Sequence, residues 1–234
     1  ENIENKILSI LFLNSSKIKK IIEAEQIKGI SLTGGEDAGA SVGSIAGQKI
    51  KKIVLELGGS DPFIICEDAN MIKASEKAVK SRMVNTGQSC IAAKRFIVHE
   101  SKKDEFINAV KVELEEMNMG NPNNEINDFG PLAKSENVKI LNLQLKDAVD
   151  KGAKIQFQMR IPNIQTFFPP TIIDNVNSSM KVYSEETFGP LFTIITFTDI
   201  EDAINIANDT QYGLGSSIWT KDISMAQNFA KHIN

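Results

Sequence analysis

A cysteine and a glutamate that neighbour glycines are the residues of this chain best suited to covalent chemistry. Cys90 ends the segment Gly87-Gln88-Ser89-Cys90, and Glu56 lies upstream in Leu55-Glu56-Leu57-Gly58-Gly59. A thiolate is a strong nucleophile near neutral pH, and a carboxylate in an apolar strand can act as a general base. Gly87 permits tight backbone geometry beside the thiol. The two segments therefore predict a nucleophile and a base.

Each of these residues also has an ordinary structural interpretation. A single cysteine is most often a small buried hydrophobic residue, and an acid in a strand is most often solvated at the sheet edge. Cys66, within Phe63-Ile64-Ile65-Cys66, is predicted to be such a core residue. For Cys90 we expect a loop that leads into a helix, whose N-terminal dipole would favour the thiolate. The pattern alone leaves both interpretations of Cys90 and Glu56 open.

The composition is that of an ordinary globular protein and narrows the range of partners. The 234 residues are 41% hydrophobic and 24% charged, with a formal net charge of −4. That charge gives no general attraction to nucleic acid or to an anionic membrane, and no apolar run reaches the ~18 residues of a membrane span. Two cysteines do not make a disulfide framework, so a reducing cytoplasm is expected. His99 and His232 lack metal-ligand spacing and are predicted to be surface residues, with no metal bound.

Short β-rich runs alternate with helical patterns, which predicts an α/β fold with a largely parallel sheet. Strands are predicted over 7–13, 29–33, 52–57, 63–66, 95–98, near 155, and over 166–173, 191–197 and 214–219. Helices are predicted over 17–25, 36–49, 71–85, 103–117, 135–151, 200–208 and 223–232, with Asn70 as an N-cap. The glycine pair Gly58-Gly59 lies between two predicted strands and is expected to be a hinge between domains.

Three blocks that follow one another along the chain resemble a known family. They are the segments around Glu56 and Cys90 and a third block, Glu185-Glu186-Thr187-Phe188-Gly189-Pro190. Two further segments extend the likeness, namely Gly59-Ser60-Asp61-Pro62-Phe63 and Tyr212-Gly213-Leu214-Gly215. With these blocks the chain resembles an aldehyde dehydrogenase, and within that superfamily the succinate-semialdehyde dehydrogenase group.

The resemblance implies a truncated form of the three-layer α/β fold of aldehyde dehydrogenases. Residues 1–58 would be the remnant of a Rossmann-like nucleotide-binding domain, and residues 59–234 most of the α/β catalytic (thiol) domain. Members of the family are about twice this long, so we expect a C-terminal half that is cut at both ends. Family members assemble as dimers or tetramers, so a homo-oligomer is a possible state of the protein.

The resemblance also gives roles to individual residues. Cys90 would be the nucleophile, and Glu56 would activate the water that hydrolyses the intermediate. Glu186 would bind the nicotinamide ribose with Phe188 as its packing partner, and Leu57 would contact the nicotinamide.

A glycine turn before a helix is the predicted contact to the rest of the cofactor. Thr33-Gly34-Gly35 follows a strand and precedes a helix, so the amides of Gly34 and Gly35 can approach a pyrophosphate. The family usually has Thr-Gly-Ser here, so Gly35 removes one hydroxyl contact. NAD or NADP is the expected cofactor, and the residues that choose between them would precede residue 1.

The implied reaction is the oxidation of a small aldehyde, such as succinate semialdehyde, to its carboxylic acid. It would pass through a thiohemiacetal and a thioester on Cys90, with the oxyanion held by the Cys90 N–H and by an Asn from the first half of the enzyme. The carboxylate of a semialdehyde favours an arginine in the pocket. One branch of the group has that arginine just before the Asn of the cysteine loop, where this chain has Val84, and Arg82 is the nearest arginine.

Other functions remain open at this point. The chain could be a folded fragment of such an enzyme that is not catalytically competent. A related enzyme that resolves its thioester with coenzyme A is a further alternative, which the presence of Glu56 disfavours because a hydrolytic base is not needed there.

Overall fold

The computed structural model describes residues 8–161 and 166–234, and its internal contacts divide the chain into two units, Glu1–Gly58 and Gly59–Asn234. The border between the units lies at the glycine pair Gly58-Gly59. That the units are the remnant of a nucleotide-binding domain and a catalytic domain remains a prediction.

The first unit contains two strands and two helices. They are α1 (Ile18–Glu23), which follows a 3-10 turn at Ser15–Lys17, then β1 (Gly29–Thr33), α2 (Glu36–Gln48) and β2 (Lys52–Glu56). The strands pair in parallel from Gly29 opposite Lys52 to Thr33 opposite Glu56. Ile22, Val42 and Ala46 form the small core of this unit.

The strand predicted over residues 7–13 is wrong for the residues that the structure describes. Ile7 lies outside them, and residues 8–14 belong to no helix or strand. Their apolar side chains face solvent, with Phe12 96% exposed. A strand needs a neighbour for its backbone hydrogen bonds, and the described ladder of this unit joins only β1 and β2. An apolar run by itself cannot supply that neighbour.

The second unit is built on a six-stranded sheet. Its strands are β3 (Asp61–Ile65), β4 (Ala93–His99), β5 (Lys154–Gln158), β6 (Thr171–Asp174), β7 (Leu191–Phe197) and β8 (Ser217–Trp219). Their spatial order is β5-β6-β7-β4-β3-β8, and every pairing is parallel except that of β5 with β6. The largely parallel sheet was predicted from the alternation of strands and helices.

Helices cover both faces of this sheet, as the burial of alternate strand residues requires. They are α3 (Met71–Met83), α4 (Lys103–Glu115), α5 (Ser135–Asp150), α6 (Lys181–Ser184), α7 (Ile200–Asn208) and α8 (Ile223–Ala230). Phe96 and Phe192 of the sheet pack with α3 and α4, whereas Ile64 and Ile97 pack with α7 and α8. The second unit is therefore a three-layer α/β structure. No helix in the described part of the chain has the length and apolar character needed to cross a membrane.

Two predicted strands are shorter than expected, for reasons of backbone chemistry. The strand predicted over 166–173 begins only at Thr171, because Pro169 and Pro170 have no N–H to give to a ladder. The strand predicted from Leu214 begins at Ser217, beyond Gly215.

Candidate active site

The loop that carries Cys90 has an unusual backbone. Helix α3 ends at Met83, and a 3-10 segment follows in which Asn85, Thr86 and Gly87 have φ of 49°, 58° and 77°. This left-handed region is costly for a β-branched residue such as Thr86. The Thr86 hydroxyl donates to the carbonyl of Gly130 at 3.2 Å, which helps to hold the conformation.

Gly87 is required by both its conformation and its neighbours. Its φ is +77°, and a Cβ placed there would lie 2.4 Å from the carbonyl carbon of Gly189. The cysteine loop therefore packs backbone to backbone against the Glu185–Pro190 block, and this contact brings together two segments that the sequence analysis had singled out.

We expect Gly87→Ala to lower the free energy of unfolding by at least about 2 kcal/mol, because positive φ and overpacking both act there. Gly152→Ala is the matched control, since Gly152 has φ +104° but no atom within 4 Å of its would-be Cβ. The control should lose only the conformational contribution, about 1–2 kcal/mol. Urea titration of both variants measures the difference, and equal losses would contradict the close packing of the loop.

Cys90 is half-buried and lies in a turn directly before β4. The expectation that its loop leads into a helix is wrong, because the chain passes into the strand that begins at Ala93. Gly59 packs against the other side of the turn, where a Cβ would lie 2.4 Å from the Cys90 carbonyl oxygen.

The side chain of a buried lysine, Lys94, is hydrogen-bonded to the backbone of the cysteine turn. Its ammonium donates to the carbonyl oxygens of Ser89 at 2.9 Å, Cys90 at 2.9 Å and Ala92 at 3.2 Å. It also lies 3.3 Å from Oε1 of Glu186, and its side chain is 1% exposed. Lys94 thus ties the cysteine turn to the acid that the resemblance places on the cofactor ribose.

Glu186 is fixed through one oxygen and leaves the other available. Its Oε1 accepts a hydrogen bond from the Gly59 N–H at 3.1 Å and pairs with Lys94. Within 8–161 and 166–234, no residue donates to its Oε2, and the side chain is 20% exposed. Gln144, on α5, donates to the Glu186 carbonyl at 3.2 Å and to Oε2 of Glu185 at 3.0 Å. The carboxylate is therefore oriented with an acceptor free for a ligand hydroxyl.

Arg82 is a structural residue and not a substrate ligand. It is 0% exposed and donates to the carbonyl oxygens of Ala93, Thr187 and Gly189. Burial lowers its pKa to about 9, partly offset by the charge of Glu186. A buried guanidinium that donates to three backbone carbonyls cannot also bind a substrate carboxylate in bidentate fashion. The arginine nearest to the cysteine loop in sequence is therefore not the one that would bind the carboxylate of a semialdehyde.

Burial and neighbouring charges shift the pKa values of Lys94 and Asp61, which lie close to the cysteine loop. Burial is the main cause that lowers the pKa of Lys94, and the nearby Arg82 adds to it, whereas Glu186 opposes the shift. Asp61 lies in the same group, and burial raises its pKa against the pull of Lys94. Its Oδ1 accepts from the Gly215 N–H at 3.1 Å, which joins the 59–63 and 212–215 segments.

Four of the predicted site residues belong to the first unit. Gly34 donates its N–H to the Glu56 carbonyl at 3.0 Å, and Gly35 is the N-cap residue of α2 with open space where a side chain would be. Glu56 is the last residue of β2 and is exposed, so its side chain is not fixed by packing. The Leu57 side chain packs on Gly39, where a Cβ would lie 2.6 Å away. These four residues surround the strand ends and the helix start of this unit.

Phe188, Cys66 and the two histidines differ in their exposure to solvent. Phe188 is 36% exposed, and Cys66 is buried at 4% exposure, with burial and the charge of Asp68 raising its pKa to about 11. His99 is half-buried and His232 is exposed. Across the described ranges there is no cluster of His, Cys, Asp and Glu residues suited to a metal ion.

Comparisons with known proteins agree on one family. The sequence matches the family described as "Aldehyde dehydrogenase family" over residues 2–234. It is 41% identical over 224 residues to a succinate-semialdehyde dehydrogenase (NADP(+)) of Mycobacterium avium, covering 95% of this chain and 48% of that protein. A succinate-semialdehyde dehydrogenase (NADP(+)) of Mycobacterium tuberculosis is 40% identical over 224 residues, with 95% and 49% covered. The chain thus spans about half the length of the curated relatives that it matches.

Solved structures give the same answer for the fold. An oxidoreductase from Marinobacter aquaeolei matches with a TM-score of 0.90 and 33% identity, over 94% of this chain and 46% of the other. A betaine aldehyde dehydrogenase from Staphylococcus aureus, in complex with NAD+, matches with a TM-score of 0.85 and 31% identity, over 92% and 44%. The α/β fold expected from the resemblance is confirmed. The chain belongs to the aldehyde dehydrogenase family.

Proposed function

We propose that the protein oxidises an aldehyde to a carboxylic acid with NAD or NADP, through a thiohemiacetal and a thioester on Cys90. The observation that carries this proposal is the arrangement around Lys94, which fixes the half-buried cysteine turn and the Glu186 carboxylate to one another. Since Cys90 acts only as a free thiol, a reducing compartment such as the cytoplasm fits this role.

The reaction begins with attack of the Cys90 thiolate on the aldehyde carbon. The new C–S bond places a negative charge on the former carbonyl oxygen, and the Cys90 N–H is directed to that oxyanion. Bound NAD or NADP would supply the acceptor for the hydride that leaves this carbon. The product at Cys90 is a thioester at the oxidation level of the acid.

Glu56 serves the second half of the reaction. Its carboxylate takes a proton from a water molecule as that water attacks the thioester carbon, and the Cys90 thiolate leaves with the acid as product. A side chain that is exposed in the described structure suits this duty, because a base that handles water needs access to it.

The residues present fit a dinucleotide. Gly35 is the N-cap residue of α2 in a strand-turn-helix unit, and the open space beside it leaves room for a phosphate to approach its amide. The Gly34 N–H already donates to the Glu56 carbonyl, so Gly34 serves by keeping the turn narrow. Glu186 keeps Oε2 free among the described residues, which suits a ribose hydroxyl. NAD and NADP both satisfy these contacts.

Glu186→Gln should weaken cofactor binding about tenfold, because a charged acceptor for the ribose hydroxyl becomes a neutral one. Glu185→Gln is the matched control, since that neighbouring acid is bonded to Gln144 and should not matter to the cofactor. Titration calorimetry gives both affinities. Unchanged affinity in Glu186→Gln would remove this residue from the cofactor site.

The substrate class is proposed from the curated relatives described above, both of which are succinate-semialdehyde dehydrogenases. A comparison of succinate semialdehyde with butanal tests it, because the two aldehydes share a four-carbon chain and differ by a carboxylate. Formation of reduced cofactor with each of NAD and NADP is the measurement. We expect the semialdehyde to be preferred, and equal kcat/KM for the two aldehydes would contradict that preference.

A further inference from the structure

The ammonium of Lys94 is enclosed almost entirely by acceptors. Its three N–H bonds face the carbonyl oxygens of Ser89, Cys90 and Ala92, with Glu186 Oε1 as a fourth acceptor at 3.3 Å. Among the described residues, no group donates a hydrogen bond to this nitrogen. Burial and the charge of Arg82 lower the pKa of Lys94, whereas Glu186 and Asp61 oppose that shift and favour the ammonium. Burying a lysine ammonium destabilises the folded state unless hydrogen bonds and opposite charges compensate for the lost hydration.

One of these contacts reaches the group that would bind the oxyanion. The Ser89 carbonyl and the Cys90 N–H belong to the same planar peptide unit, whose two ends are coupled by resonance. A cation 2.9 Å from the carbonyl oxygen draws electron density towards that oxygen and makes the N–H at the other end a stronger donor. Charge-assisted bonds of this kind are the strong ones inside proteins.

The Cys90 N–H itself is left without an acceptor in the described parts of the chain. Nearby amides are used, since Gln88 donates to the Asn85 carbonyl at 3.1 Å and Ala92 to the Ser89 carbonyl at 3.2 Å. The Cys90 amide makes no such bond within 8–161 and 166–234. The turn therefore combines a free donor with a cation on the back of the same peptide.

We propose that Lys94 is a positioning residue that polarises the Ser89–Cys90 peptide and so strengthens the Cys90 N–H as donor to the oxyanion. This inference rests on the proposed function for its catalytic consequence. The polarisation is a property of the folded turn, however, and is present whether or not the chain turns over.

The experiment begins with a signal that needs no turnover. The chain has two cysteines, so protein labelled with ¹⁵N-cysteine gives two amide resonances, from Cys66 and Cys90. Lys94→Met, which keeps the length of the side chain and removes its charge, should move the Cys90 amide proton upfield and leave Cys66 in place. Lys94→Gln keeps N–H donors without charge and should shift Cys90 in the same direction, which provides a second variant if the first does not fold.

The catalytic consequence is measured separately. Lys94→Met should lower kcat/KM for the aldehyde about 10- to 100-fold, since weakening an oxyanion donor costs somewhat less than removing one. The limiting rate of Cys90 alkylation by iodoacetamide at high pH should change little, because that displacement forms no oxyanion. Lys103→Met is the matched control, as Lys103 pairs with the buried Asp174 at 3.3 Å in the same unit, and it should alter neither rate.

Each outcome decides the matter. An unmoved Cys90 resonance in both Lys94 variants would overturn the proposal, as would equal losses of alkylation and aldehyde oxidation, which indicate a clamp of purely structural importance. The remaining outcome is that the Lys94 variants shift the Cys90 resonance while the wild-type protein oxidises no aldehyde. That result would support the polarisation and contradict the proposed function.

Discussion

Replacing Cys90 with alanine should abolish aldehyde oxidation, lowering kcat by on the order of 10⁴-fold or more, because the covalent adduct forms on the Cys90 thiolate and the neighbouring Ser89 hydroxyl is a far weaker nucleophile. The fold should survive, since Cys90 is only half-buried and its contacts to Lys94 and Gly59 use its backbone. The measurement is the rate of reduced-cofactor formation together with the thermal midpoint of the variant.

Cys66→Ala is the matched control for that experiment. Cys66 is buried at 4% exposure in the core next to α7 and α8, so its loss should lower stability and leave kcat unchanged. Turnover that persists in Cys90→Ala, or that disappears in Cys66→Ala at temperatures where the variant is folded, would contradict the assignment of the nucleophile.

Glu56→Gln should separate the two halves of the reaction. A carboxamide cannot accept a proton from water, so hydrolysis of the thioester should slow by about 10²- to 10⁴-fold while its formation continues. Mixing the enzyme with excess aldehyde and cofactor should then give a burst of reduced cofactor equal to the number of Cys90 thiols, followed by a slow steady state. Rapid-mixing absorbance records both phases.

Glu36→Gln is the control for this second experiment. Glu36 lies in the same unit and accepts a hydrogen bond from the Gly58 N–H at 3.0 Å, which a carboxamide oxygen can also do. It should behave as wild type. A Glu56→Gln variant that loses the burst as well as the steady state would mean that Glu56 acts on the thiol, and a variant with normal steady-state rate would mean that Glu56 is not the base.

Local signals explain why much of the fold could be predicted. Asn70 was predicted as an N-cap, and its side chain accepts from the Lys73 N–H at 3.1 Å. Helix α7 has the predicted bounds, because Asp199 caps it and its apolar residues recur with helical period. Strand β7 also has its predicted bounds. In each case the deciding information lies within a few residues of the element.

The errors arise where distant parts of the chain decide. The apolar run before Asn14 has the composition of a strand but no described partner to pair with. The cysteine loop was expected to lead into a helix, but the chain passes into β4, which pairs with β3 and β7. The partner with which a strand pairs is distant in sequence, so the local residue pattern does not reveal it.

Lys94 is the site residue that sequence reasoning missed. Its one visible signal is the charged pair Lys94-Arg95 at the start of an otherwise apolar strand, where both side chains are buried. Such charges must be compensated, which could have marked the position as special. Which oxygens compensate it depends on the turn at Ser89–Ala92 and on Glu186, and only the folded chain places these around the ammonium.

The central claim is that the aldehyde becomes covalently bound to Cys90 as an acyl group. The most direct test is to mix the protein with succinate semialdehyde and NADP, quench in acid within one turnover, and map the added mass by tandem mass spectrometry. We expect a succinyl adduct on the Cys90 peptide that is absent without cofactor and absent in Cys90→Ala. Turnover without any adduct on Cys90, or an adduct located on Cys66, would contradict the account.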